Sequence, residues 1–415
     1  MPLAAQAIIS PWNLARISLS RSQRRPMSEF TIKDKTAIAG LGETTYYKRG
    51  AAPVSEFRLA LEAIQRAADD AGIPVTAIDG IASYSNDRND SVRVATALGL
   101  AELRFTNMFW GGGGGGGSGA IGNAAAAIVA GFATCVVVYR ALAQGQFGRF
   151  GATPPMRTIS GPIAYTWPYG MSTPAQWIAL RTRRFMHDHH ITQDPLAAIA
   201  MACYHHAQSN PRAIMYGRPL TRQAYDESRW IVEPFHLYDC CLENDGAAAV
   251  IVTSAERARD LKQCPAYVMA SAQGSDFRQG AAAENGPDYA TSNFKTLAPR
   301  LYAMAGIEPR DVDVAQVYEN FTGAVMTSIV EHGFCHPDEV MDFCTFENLT
   351  APNGKLPINT SGGNLAECYM HGLELIIEAA RQVRGTSTSQ VKDAEISMVV
   401  SGPMVAPVSD LILRR

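Results

Sequence analysis

Residues 107–122 read NMFWGGGGGGGSGAIG, seven glycines running into Ser118 and Gly119. Bare backbone has a chemical use: without a Cβ, its N–H groups can approach a ligand oxygen closely. At a helix start those N–H groups lack intrahelical partners and form an oxyanion or anion pocket. A phosphate-binding P-loop would need a lysine followed by Ser or Thr after the glycines, and no lysine is near. A G-x-G-x-x-G match inside a glycine run carries no weight, and no acidic residue closes a second strand about 20 residues on. Histidines gather in HDHH (187–190) and at His205–His206. Their spacing puts them on different helix faces, so they read as solvated helix ends and no metal is expected. The eight cysteines include no C-x-x-C, and only Cys240 and Cys241 are adjacent. That excludes a zinc ribbon or a disulfide framework and fits a reducing, cytoplasmic setting.

Strands and helices must alternate to hold the glycine run where it is. TAIAGLGET reads as a strand and turn, and VSEFRLALEAIQRAADDAG as an amphipathic helix with a glycine stop. IDGIASYS is the next strand, DSVRVATALGL a helix, RFTNMFW a strand, GSGAIGNAAAAIVAGFA a small-residue helix and TCVVVYRA a buried strand. Residues 141–235 break the rhythm with prolines, aromatics and arginines, and read as an inserted helical and loop region. DGAAAVIVTSAERARDL then restores a strand and a helix. From about residue 265 the same grammar repeats: AYVMASAQG, SNFKTLAPRLYAMAG, DVDVAQVYENF, TGAVMTSIVEHGF and, as a closing strand, ISMVVSGPM. Such alternation implies an α/β protein with a mostly parallel sheet covered by helices, here duplicated.

Composition agrees with an enzyme-sized α/β chain. With 47% apolar and 18% charged residues and a net charge of −3, the 415 residues resemble an ordinary globular protein. No basic patch points to nucleic acid, and no run reaches the roughly 18 to 20 apolar residues of a membrane span. Residues 1–26 carry four arginines and no acid. They read either as an organelle presequence or, the favoured reading, as a disordered leader ahead of Met27. The expected organisation is a leader (1–30), an N-terminal half with the insertion (31–262) and a C-terminal half (263–415).

From about residue 30 onward the chain resembles the thiolase superfamily. Thiolases carry a nucleophilic cysteine in a C-x-S-G turn, where this chain has Gly116-Gly117-Ser118-Gly119. Their H/N-E-A-F strand end reads Tyr318-Glu319-Asn320-Phe321 here. Their N-x-x-G-G-x-x-x-x-G-H-P motif reads NTSGGNLAECYMHG, matching at Asn359, Gly362 and Gly363, with Cys368 for the glycine and Tyr369 for the histidine. The final C-x-G becomes Ser401-Gly402-Pro403. The nearest pattern is the lipid-transfer-protein-like branch, which includes aldolases that shorten steroid side chains. The resemblance implies a five-layer α-β-α-β-α fold, a homodimer paired through the strand before the small-residue helix, and a small partner with an OB-fold and a zinc ribbon. It implies no bound cofactor, with a coenzyme A thioester as the substrate.

Without a thiol at position 116 no acyl-enzyme can form there. A β-hydroxyacyl thioester needs a base for the β-hydroxyl, a hole for the departing enolate oxygen and an acid for Cα. Tyr318 and Tyr369, at the two replaced histidine-type positions, are the expected pair, provided that a polar, partly buried site lowers the phenol pKa from about 10. His371 either tunes a tyrosine or bonds backbone. Glycine N–H groups at 116–119 or 362–363 are expected to hold the thioester oxygen, with the lost cysteine's space left free for a bulky substrate. Asn320 and Asn359 complete the substrate-binding set, Glu319 and Asn320 also buttressing the turn. Cys368 reads as a small filler. A thiolase-fold acyltransferase using Cys368, and a non-catalytic acyl-CoA-binding subunit, are the alternatives.

Overall fold

The computed structural model describes residues 32–111, 113–147, 159–276, 279 and 288–415. The leader and residues 148–158 of the insertion lie outside them.

The first half runs β1 (Thr36–Glu43), β2 (Tyr47–Lys48), α1 (Glu56–Ala71), β3 (Gly80–Tyr84), α2 (Ser91–Leu98), β4 (Phe105–Phe109), α3 (Gly117–Val129) and β5 (Cys135–Ala143). The insertion supplies α4 (Pro174–Asp188), α5 (Asp194–Ala207), α6 (Arg222–Asp226) and a hairpin of β6 (Trp230–Val232) and β7 (Phe235–His236). β8 (Asn244–Ser254) and α7 (Ala255–Arg259) close the half. The second half runs β9 (Ala266–Gly274), α8 (Leu297–Ala305), β10 (Val314–Val317), α9 (Thr322–Glu331), α10 (Val340–Phe343), α11 (Phe346–Leu349), α12 (Gly363–Ala366), α13 (Leu373–Arg384), β11 (Ile396–Ser401) and β12 (Val408–Arg414).

Local chemistry places these boundaries. Ser55 caps α1 by accepting the Arg58 N–H, and Gly72 ends it at φ 74°. Asp90 and Gly99 do the same for α2. The closing strand is β12 rather than ISMVVSGPM, which forms β11: a single sequence does not show that a turn at 402–407 sends the chain back antiparallel. α13 was also not anticipated, because its apolar face follows directly on the NTSGGNLAECYMHG loop.

The duplication is visible in the sheet order β10-β11-β12-β9-β1-β8-β5-β3-β4. The sheet is mixed rather than mostly parallel as expected: in the first half β4, β3 and β5 are parallel, and β8 and β1 follow antiparallel. In the second, a parallel bridge at Ile358 stands where β4 does, β10 and β11 are parallel, and β12 and β9 follow antiparallel. The halves meet through two residue pairs of β1 and β9. α3 and α13 lie between them: α3 touches β3, β5 and β8 on one side and β9, β11 and β12 on the other, and α13 packs on β10 and β11 and reaches β8. α1 covers the outer face of β1, β8 and β5, and α8 that of β9 and β12. Small residues let α3 fit: a Cβ on Gly122 would stand 2.4 Å from Ser271 Oγ.

Candidate active site

The two tyrosines meet. Tyr318 follows β10, its N–H bonded to Val400 O at 2.9 Å. Tyr369 lies between α12 and α13, its N–H held by Asn244 Oδ1 at 2.5 Å. Their hydroxyls are 2.7 Å apart, and both side chains are buried. The Tyr318 ring is wedged between bare backbones. A Cβ on Gly114 would stand 2.1 Å from its Cε2, and one on Gly372, at φ 91°, 3.0 Å from its Cδ2. Asn359 clamps the strand end by accepting the Val317 N–H at 2.7 Å and donating to Val317 O at 2.9 Å. Glu319 turns away beneath Gly363 and accepts from Asn364 Nδ2 at 2.9 Å.

Burial governs the electrostatics. It pushes both phenols well above their ordinary value of 10.0, and each tyrosine's neighbourhood of Cys241 and the Glu374 carboxyl pushes further. The expectation of lowered phenol pKa values is therefore overturned: desolvation and the acidic neighbours act in the same direction, and only the Tyr318 hydrogen bond and the Arg140 guanidinium oppose them, at Tyr369. Burial also keeps the Glu374 carboxyl well above the usual range, while its Oε2 accepts the Gly372 N–H at 3.0 Å. His371 is fully buried at φ 61°, with ring centroids 6.3 Å from Tyr318 and 5.5 Å from Tyr369. Burial and then the Arg140 guanidinium drive its pKa well below 6.5, so it is neutral. Arg140 in turn pairs with Asp87 at 3.0 Å, both inaccessible to solvent, and Tyr84 donates to His371 O at 3.0 Å.

The tyrosines open on a cavity of about 790 Å³. The insertion roofs it with Trp177, Ile178 and Ile231, and Leu242 and Val405 add apolar wall. Asn320 lines it. His371, Cys368, Gly116, Gly117, Ser118, Gly119, Asn359, Gly362 and Gly363 do not. Gly113 reaches the cavity wall, whereas residues 114–119 are packed core. A Cβ on Gly116 would meet Tyr84 Cβ at 2.6 Å, and one on Gly119 the Phe109 ring at 2.5 Å. The Ser118 N–H goes to Ser401 Oγ at 3.2 Å and that of Gly119 to Ser409 Oγ at 2.8 Å. Gly362 N–H goes to Asn359 O. These donors are spent on the protein. No space is left by a missing cysteine at 116 either, because Tyr84 and Phe109 fill it.

Sequence reasoning did not reach Tyr84, Arg140, Gln144, Cys241 and Glu374. An arginine inside the apolar run TCVVVYRA and the adjacent cysteine pair were the available signals. Cys240 and Cys241, not Cys368, are the cavity's thiols, and burial holds the Cys241 thiol well above its ordinary value. His206 is not solvated as expected: it is 1% exposed, its Nε2 accepts the Ala351 N–H at 3.0 Å, and burial lowers it to about 3. His187 is exposed.

Comparisons with known proteins bear on this arrangement. Residues 276–415 match the thiolase C-terminal domain-like family model. A steroid side-chain-cleaving aldolase from Thermomonospora curvata is 40% identical over 91% of this chain and 97% of its own. A 17-hydroxy-3-oxo-4-pregnene-20-carboxyl-CoA lyase from Mycobacterium tuberculosis is 39% identical over 92% of this chain and 100% of its own. Among solved structures, the Ltp2-ChsH2(DUF35) aldolase superposes with a TM-score of 0.85 at 38% identity, covering 93% of this chain and 99% of that one. Human mitochondrial 3-ketoacyl-CoA thiolase, at 12% identity and a TM-score of 0.66, shares the fold.

Proposed function

The chain belongs to the thiolase superfamily, in its lipid-transfer-protein-like branch, and from that premise we propose how it works as an acyl-CoA carbon–carbon lyase. The substrate is a β-hydroxyacyl-CoA. The tyrosine pair carries the reaction as a proton relay. One phenol oxygen takes the β-hydroxyl proton as its own proton passes to the other, whose proton goes to Cα. The Cβ–O bond becomes a carbonyl, the Cα–Cβ bond breaks, and its electron pair, spread onto the thioester oxygen as enolate character, takes the relayed proton at Cα in the same step, so that neither phenol oxygen has to hold a second proton. One proton leaves the β-hydroxyl and one arrives on Cα, so no external acid, base or oxidant is consumed. Neither phenol has to be ionised at rest, which agrees with the raised pKa of both.

The 2.7 Å contact between the hydroxyls carries this reading. Neutral His371 and buried Glu374 support the pair from behind. The apolar cavity, large and roofed by the insertion, supports a bulky acyl group, such as the polycyclic group named for the similar lyase. The structural neighbour is a complex with a DUF35 protein. On that ground this chain too works with a small partner of that type, with an OB-fold and a zinc ribbon, that helps receive the acyl-CoA. Homodimer pairing through β4 is supported by its place at the sheet edge and by exposed Met108 and Trp110. The reading is tested by incubating the enzyme with a β-hydroxyacyl-CoA and identifying the products. A carbonyl compound and a shortened acyl-CoA in equal amounts are expected, without any need for free coenzyme A. Turnover only with added coenzyme A, or a covalent acyl-enzyme on a cysteine, would favour the acyltransferase.

A further inference from the structure

Gln144 lies just beyond β5, lines the cavity, and is 2% exposed. Neither its Oε1 nor its Nε2 has a hydrogen-bond partner among the described residues. Two residues on, Gln146 shows the usual alternative: its Oε1 accepts the Glu56 N–H at 3.0 Å and its Nε2 donates to Val54 O at 2.6 Å. A buried amide without partners costs roughly 1–3 kcal/mol, and an apolar residue of the same size would avoid that cost. The amide is therefore paired when the cavity is filled. Its position says with what. β5 and β8 are paired up to Ala143↔Asp245, so one more step sets Gln144 level with Asn244, whose Oδ1 holds the Tyr369 N–H. Gln144 thus stands at the reacting end of the cavity. A β-hydroxyacyl thioester brings two oxygens there, and the hydroxyl belongs to the tyrosines. The other is the thioester oxygen, and the N–H groups of Ser118 and Gly119 are already committed to Ser401 and Ser409.

We propose that Gln144 contacts the substrate, donating its Nε2–H to the thioester oxygen and holding that oxygen as it takes on enolate charge. This rests on the lyase reading above. In the test, kcat/KM on a β-hydroxyacyl-CoA and the melting temperature are measured for Gln144→Met and Gln144→Glu. Loss of one oxyanion donor typically costs ~10² to 10³-fold in rate, the loss expected of Met, whereas a Glu kept protonated by burial should retain more of the rate at low pH and lose it as pH rises. The Met variant should melt no lower than wild type, since it buries no unpaired amide. Wild-type kcat/KM in the Met variant, or a loss that only follows a lowered melting temperature, would overturn the proposal. A binding arm keeps the two readings apart. Affinity is measured for an acyl-CoA lacking the β-hydroxyl and for its thioether, with CH2 in place of C=O. Gln144→Met should weaken the thioester about tenfold, as loss of one hydrogen bond would, and leave the thioether unchanged. Equal effects on both ligands overturn the inference even if cleavage is observed. If wild type binds the acyl-CoA but cleaves nothing, the lyase reading falls, and the same pair of affinities still decides Gln144. Failure of wild type to bind either ligand with its DUF35-type partner present sinks both.

Discussion

Two phenols 2.7 Å apart and shielded from water can exchange a proton without either carrying charge to the surface. Because burial raises both, the account needs no tyrosinate. The kcat profile should show no limb from these tyrosines below pH 10, and the solvent deuterium isotope effect should report more than one proton in flight. A rising limb below pH 9 that disappears in a Tyr→Phe variant would contradict the relay. Cys368 is buried away from the cavity, so Cys368→Ala should keep turnover within about threefold, as a repacked small core residue usually does. A trapped acyl group on Cys368 or Cys241 would instead favour the acyltransferase. The positions of Tyr318 and Tyr369 were legible in the sequence through two motifs. Their ionisation was not, because desolvation depends on what closes over a side chain in space. For the same reason the commitment of the Ser118 and Gly119 N–H groups was not legible: their partners, Ser401 and Ser409, lie nearly 300 residues away in sequence.

At the scale of elements, the glycine run exists to let β10 and α13 press an aromatic ring against the start of α3. Gly114→Ala forces its Cβ into the Tyr318 ring. Overpacking of this kind costs about 1–3 kcal/mol. It should lower both the melting temperature and kcat, the latter by about 10²-fold, the scale of a misplaced reacting group. A variant with unchanged kcat would show that Tyr318 tolerates displacement. Glu319 gives the turn after β10 a pH dependence. Burial raises its carboxyl from 4.5 to about 8, so the folded state holds that proton more tightly than the unfolded one. Its contribution is full below pH 4.5 and is lost as pH rises through about 8. Glu319→Gln should therefore show a smaller fall in melting temperature between pH 5 and pH 8 than wild type. An equal fall would assign the dependence to other groups. Strand and helix alternation made most elements legible, but β12 was missed because the turn at 402–407 sends the chain back antiparallel, and α13 because it follows directly on the NTSGGNLAECYMHG loop.

Across the whole molecule the site is shared. The first half provides Tyr84, Arg140 and Gln144, the second Tyr318 and Tyr369, and the insertion the roof. In the proposed mechanism neither half holds the site by itself, which would tie catalysis to the junction where α3 and α13 are enclosed. β4, at the sheet edge, is where a second copy would pair. Met108→Asp with Trp110→Asp should convert a dimer into a monomer by light scattering, and a wild-type mass of one chain at micromolar concentration would rule this interface out. Added DUF35-type partner should raise activity on acyl-CoA, and full activity of the chain alone would remove the partner from the account.

The most direct test is the turnover of a β-hydroxyacyl-CoA by wild type, Tyr318→Phe and Tyr369→Phe, with both products quantified by mass spectrometry. Each change removes one hydroxyl and keeps the ring. Wild type should release the carbonyl product and the shortened acyl-CoA in equal amounts without free coenzyme A, and each variant should lose ~10² to 10⁴-fold in kcat while remaining folded. Wild-type kcat in either variant would contradict the tyrosine relay.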